Sequence, residues 1–170
     1  MQDHVDFVVG QWGKAMPELD ASSMEVFGRM LRLLKHLAKV RAQAMAPFGF
    51  REGEFDVLAT LRRAGEPYSL SPTQLYKSLL ITSGAMTNRL NHLEQQGLIA
   101  RISDPDDKRS TRVSLTPHGR SLIEQALVVH TATQNRLLEN LSLAQREQLG
   151  SLLRQVLLTF PAEEIATDTP

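Results

Sequence analysis

Residues 71–115, SPTQLYKSLLITSGAMTNRLNHLEQQGLIARISDPDDKRSTRVSL, decide how the chain folds. Ser71, Pro72 and Gln74 spell a helix start: a hydroxyl cap, a proline at the first helical position and a glutamine able to reach back to the cap. The helix they open ends near Leu80, and a tight turn at Thr82, Ser83 and Gly84 leads into a second helix over 85–96. That second helix turns Met86, Leu90 and Leu93 inward and stops at Gly97. Residues 98–103 and 110–115 read as two strands, and DPDDKR (104–109) between them combines a proline turn with exposed charge.

Outward from this stretch the chain is helical. Over 4–16 the spacing puts Val5, Val8, Val9, Trp12 and Met16 on one face, in a helix that ends before Pro17. Ser22 and Glu25 predict a capping box, followed by a long helix with Met30, Leu33, Leu34 and Leu37 inward that runs out near Pro47 and Gly49. A shorter helix from about Glu52 carries Phe55, Leu58 and Leu61 and closes at Gly65 in a left-handed conformation. Tyr68 to Leu70 form a short strand. Beyond the hairpin, Thr116 and Pro117 open another long helix with a stripe of Leu122, Ile123, Ala126, Leu127, Leu137, Leu138 and Leu141. Ser142 and Gln145 cap a last helix, whose stripe of Leu149, Leu152, Leu153, Val156, Leu157 and Phe160 ends at Pro161. The expected fold class is mainly α with a small β-hairpin wing (α+β): a winged helix-turn-helix flanked by N- and C-terminal dimerisation helices. Its expected boundaries are an extra helix in 1–20, a dimerisation helix in 21–50, the winged domain in 51–116, dimerisation helices in 117–161 and a polar tail in 162–170.

Composition narrows the function. The 170 residues contain no cysteine, which excludes disulfides, thiolate catalysis, thiol-based peroxide sensing and cysteine-ligated zinc. No apolar run approaches the roughly 20 residues of a membrane span. The start, MQDHVDFVV, lacks the basic and small-residue signals of secretion, so a cytoplasmic location is expected. His4, His36, His92, His118 and His130 show no close metal-ligand spacing, and neither a phosphate loop nor a nucleophile motif is present, so no metal, cofactor or enzymatic activity is expected. Net charge is zero, but residues 51–120 hold ten basic and eight acidic groups while 121–170 hold three and six.

Helix, turn, helix and a basic-tipped hairpin is the order in which a second helix enters the major groove of DNA and a wing reaches the flanking minor groove. Facing away from Met86, Leu90 and Leu93 are Ser83, Thr87, Asn88, Asn91, His92 and Gln95, short hydrogen-bonding groups suited to base edges and phosphates. Any exposed helix face is polar, so the row alone does not decide; the hairpin beside it does. Lys108 and Arg109 sit at the loop tip, where they serve no core and where an arginine can enter a narrow minor groove. Asp107 is read as orienting that arginine through a charge-assisted hydrogen bond. The outer apolar stripes are longer than a compact head needs, and pairing across a two-fold axis predicts a homodimer on a pseudo-palindromic site of double-stranded DNA. A winged module that binds protein instead of DNA is the alternative of another class.

The chain from LSPTQLYKSLLITSGAMTNRL to RISDPDDKRSTRVSLTPHG, with the helices on both sides, resembles the MarR family of regulators. The resemblance implies a triangular homodimer that represses a gene and is released by a small ligand. A narrower resemblance is to the family's urate-responsive branch, with its extra N-terminal helix. It implies a site for a small anionic ligand, urate or a related purine, at Trp12, Asp56, Arg89 and Arg101. A planar anion would use an aromatic face, a cationic fork and a fixed acceptor. A regulator of the same type answering to a phenolic acid, a drug or another anion is the alternative.

Overall fold

The computed structural model describes residues 2–79, 83–104 and 109–160. The chain divides into two compact units between Ala44 and Met45.

The first unit is a helical pair. Helix α1 (His4–Ala15) starts at Asp3, whose carboxylate accepts from the backbone of Val5 at 2.7 Å and Asp6 at 3.0 Å, while Asp6 answers by accepting from Asp3 N at 2.6 Å. Helix α2 (Ser22–Met45) meets it through Arg29, which donates to Asp3 at 2.9 Å and Asp6 at 2.6 Å. Gly28 lies under Val5, where an added Cβ would come within 3.1 Å of the valine methyl. The expected Ser22–Glu25 capping box gives way to another start: Asp20 accepts from Ser22 N at 3.0 Å. A carboxylate at a helix N-terminus is a stronger acceptor than a hydroxyl, and Ser22 is then free to be the first helical residue. Of the apolar face expected on α1 only Val5 is buried.

In the second unit a single 3-10 turn, Ala46–Phe48, is followed by Gly49 in the left-handed region. Helix α3 (Glu54–Arg63) begins two residues later than expected, after Gly53 at φ 77°, and buries Phe55, Val57, Leu58 and Leu61. Gly65 takes φ 78°, as its expected role requires. Strand β1 (Ser69–Leu70) leads to helix α4 (Pro72–Leu79), opened by the reciprocal pair read from the sequence: Ser71 N donates to Gln74 at 2.9 Å and Gln74 N to the Ser71 hydroxyl at 3.2 Å. Helix α5 (Ser83–Gln95) includes Ser83 and Gly84, which the sequence had suggested for a turn; Leu80 and Thr82 lie outside the described residues.

Strands β2 (Ile99–Ser103) and β3 (Thr111–Leu115) pair antiparallel from Ile99↔Leu115 to Ser103↔Thr111, and β1 adds to the other side of β3, giving the order β1-β3-β2. The fold is thus mainly helical with a small antiparallel sheet, and its core gathers Leu58, Leu61, Leu75, Leu93, Val113 and Ile123, all fully buried.

Helix α6 (Pro117–Leu137) is capped by Thr116, whose hydroxyl accepts from Gly119 N at 2.9 Å and donates to Gly97 O at 2.7 Å. Gly119 packs so closely on the Leu98 carbonyl that any Cβ there would collide with it. α6 ends before Leu138 and Leu141, so the expected stripe is shorter than the sequence suggested. Helix α7 (Leu143–Leu157) starts with the Ser142–Gln145 capping box at 2.8 and 3.3 Å. Leu149, Leu152, Leu153 and Leu157 along it, and Phe160 just beyond it, are exposed.

Candidate nucleic-acid interface

Helix α5 is amphipathic about the stripe read from the sequence: Met86, Leu90 and Leu93 are buried against the core. Thr87, Asn88, Asn91 and Gln95 are exposed on the other side. Short polar side chains on a helix followed at once by an exposed hairpin are what base edges and backbone phosphates require. Ser83 is the first residue of the helix, and its side chain lies outside what is described, as do Asp107 and Lys108 of the hairpin. Arg109 is described, exposed at the start of the returning limb, and engaged in an interaction of its own.

His92 takes a different place from the one expected. It is half-buried, and its Nδ1 pairs with the carboxylate of Glu54, a residue 1% exposed in the first turn of α3. The second Glu54 oxygen accepts from Arg51 N at 2.8 Å. A carboxylate can be buried only where such partners replace its water. The reason lies in helical geometry: residues 85, 89 and 92 recur at three and four, flank the core stripe, and are all half-buried. Arg89 belongs to this flank. Its guanidinium lies over Gly53, where a Cβ would overlap it. This places it just ahead of α3, and Asp56 is half-buried in that helix's first turn.

Arg101 leaves β2 and reaches the outer side of α5. Its Nη2 donates to Asn91 Oδ1 at 2.7 Å, its Nη1 to the Glu94 carboxylate, and its backbone N–H to Glu94 Oε1 at 3.3 Å. Arg89 and Arg101 therefore do not share a face, since at 100° per residue Asn91 stands about 200° round the helix from Arg89. Trp12 belongs to α1 of the first unit and is 38% exposed.

Sequence reasoning missed the residue that braces the hairpin. Arg112 on β3 donates to the Ser69 carbonyl on β1 at 3.0 Å and to the Asp104 carboxylate beyond β2 at 3.2 Å. It thereby ties the sheet across its width, and Asp104 does for Arg112 what the sequence had suggested Asp107 does at the tip. The alternation of β3, with Val113 inward and Arg112 outward, offered no hint that the outward residue would fold back over the edge strand.

The sequence model described as the MarR family matches residues 48–110. The chain is 34% identical over 152 residues to the "HTH-type transcriptional regulator PecS" of Dickeya dadantii (strain 3937), covering 89% of this chain and 92% of that one. Among solved structures it is similar to a MarR mutant from E. coli complexed with operator DNA, with a TM-score of 0.67 and 26% identity, covering 86% of this chain and 97% of the other. It is also similar to BpsR of Bordetella bronchiseptica, whose structure concerns regulation of DNA binding by 6-hydroxynicotinic acid. There the TM-score is 0.63 and the identity 27%, over 76% of this chain and 91% of that one.

Proposed function

The chain belongs to the MarR family of regulators, and from that premise we propose that it binds operator DNA as a homodimer, places α5 in the major groove and its hairpin over the flanking minor groove, and loosens its hold when a small planar anion binds. The relatives named above are DNA-binding regulators, which separates this function from catalysis. The observation that carries the reading is the exposed row of Thr87, Asn88, Asn91 and Gln95 beside a hairpin braced by Arg112. Exposed apolar positions on α2 and on α7 support a dimer, because a second copy would remove them from water.

The ligand is proposed to be an aromatic anion, with urate or a related purine as the specific candidate. Asp56, in the first turn of α3, and Arg89, whose guanidinium lies just ahead of that helix, are the residues of the second unit proposed to hold it. Arg89 ties α5 to the backbone ahead of α3, and Arg101 ties it to β2. An anion that draws the Arg89 guanidinium away would release the first of these tethers of the proposed reading helix. Such a ligand acts only through its different affinity for the two states, and full release needs about 5.5 kcal/mol of difference. The structure of BpsR with its hydroxylated nicotinic acid theme favours the second reading, a phenolic or heteroaromatic carboxylic acid in place of a purine.

Gel-shift titration tests the first part. Affinity should fall with salt at a log–log slope near −0.9 per phosphate neutralised, whereas a flat response would indicate a winged protein-binding module. Thermal unfolding with urate, 6-hydroxynicotinic acid and salicylate tests the second, because a ligand of the folded state raises apparent stability. Arg89→Ala should leave a folded protein with a blunted response to urate. An unchanged response would take Arg89 out of the site.

A further inference from the structure

Resting on the reading of α5 as a base-contacting helix, we infer that Arg101 sets the specificity of Asn91. Arg101 makes it select bases that show a keto oxygen in the major groove, guanine or thymine, over those that show an amino group, adenine or cytosine.

A guanidinium carries donors and no acceptor. Because Arg101 Nη2 lies 2.7 Å from Asn91 Oδ1, the amide must turn its oxygen to the arginine and its NH2 away. The ambiguity that attends an asparagine amide is removed by its neighbour's chemistry. Glu94, one helical turn beyond Asn91 on the same face, holds the guanidinium through Nη1 and the backbone of the same residue through its other oxygen. Arg101 is therefore fixed at two points on α5, and Asn91 is one of them.

An unrestrained asparagine pairs with adenine through both ends of its amide, accepting from N6 and donating to N7. Here the accepting end is occupied by a cation. An amino group approaching the remaining lone pair of Oδ1 would meet N–H groups already aimed at that oxygen, donor against donor. What the pair offers the groove is the Asn91 NH2 and the remaining N–H groups of Arg101. O6 of guanine and O4 of thymine accept such donors; adenine offers N7 but sets its N6 amino group against the Arg101 donors, and cytosine presents only an amino group. Both Asn91 and Arg101 are exposed, so nothing in the described chain covers the pair.

Binding-site selection from randomised duplexes with the full chain tests this. At one position in each half-site the unaltered protein should enrich guanine or thymine over adenine and cytosine by roughly five- to a hundredfold. Asn91→Ala should flatten that position and leave the others. Arg101→Met, which frees both ends of the amide, should turn the preference there to adenine. Asn91→Asp keeps an acceptor for Arg101 but removes the donors. As an exposed change on a helix surface, it should weaken the keto preference, leaving only what the N–H groups of Arg101 supply, even where the arginine variant does not fold. Adenine enriched at that position by the unaltered protein, or no position altered by Asn91→Ala, overturns the inference while leaving DNA binding intact. A pool that shows no enrichment at all overturns the DNA reading, and the inference with it.

Discussion

Glu54 shows what a single side chain contributes to the reading helix. It is buried, carries the first turn of α3, and has two obligations: the Arg51 N–H and the imidazole of His92 on α5. Truncating it leaves the part-buried imidazole and the Arg51 N–H without their acceptor, a loss of about 1.5–3 kcal/mol for hydrogen bonds to a charged group. Glu54→Ala should lower the urea midpoint of unfolding accordingly, and Glu54→Gln, which keeps an acceptor, should lower it less; equal midpoints for all three proteins would show that the pair does not stabilise the fold. Gly119 is a second case, decided by space. The Leu98 carbonyl that a Cβ would strike is held by the N–H of Thr116 at 3.1 Å, so it cannot yield as a flexible side chain would. Gly119→Ala is expected to cost about 1–3 kcal/mol, read from the same midpoint.

Between elements, α3 and α6 are joined by Glu124, which accepts from Arg62 at 2.7 Å and Arg120 at 3.1 Å. Those bonds, Arg62 first, hold its carboxyl below the ordinary range. A depressed acid stabilises the fold above its unfolded value and loses that contribution as pH falls through its folded value. Glu124→Gln should therefore unfold more readily than the unaltered protein at neutral pH, with the gap closing on acidification; a gap independent of pH would deny the carboxylate its role. The elements most legible in the sequence were those whose signals are local. Ser71 with Gln74 and Ser142 with Gln145 stand three residues apart and satisfy each other whatever surrounds them. Ser22 with Glu25 has the same spelling, yet Asp20 took the role, because two acceptors competed for one helix start. The polar row of α5 was legible because it is the complement of Met86, Leu90 and Leu93. His92 was misplaced because its partner lies 38 residues away on another helix, a pairing that no periodicity encodes. For the same reason Arg112 and the Arg101 clasp escaped notice.

At the scale of the whole molecule, the apolar residues left in water ask for a partner. On α2, Phe27, Leu31 and Leu34 recur at four and three and are at least half exposed; on α7, Leu152 is 51% exposed. A charge at an exposed position costs little in a monomer, but pressed into a contact between copies it costs on the order of several kcal/mol. If α7 faces a second copy in the proposed dimer, Leu152→Glu should leave the folded chain intact and shift its sedimentation from dimer toward monomer; an undiminished dimer would place the contact elsewhere. Thr116 adds a mechanical consequence. Its hydroxyl grips the start of α6 and the corner between α5 and β2 at once, so one side chain ties the end of α5 to the root of α6. In the proposed dimer, two such ties would favour one spacing between the helices that meet the DNA. A single base pair inserted at the centre of the operator moves one half-site by about 3.4 Å along the axis and about 35° around it. A proposed dimer tied in this way should follow such a displacement poorly, and occupancy of the second half-site should fall; undiminished occupancy would show that the tie leaves the spacing free.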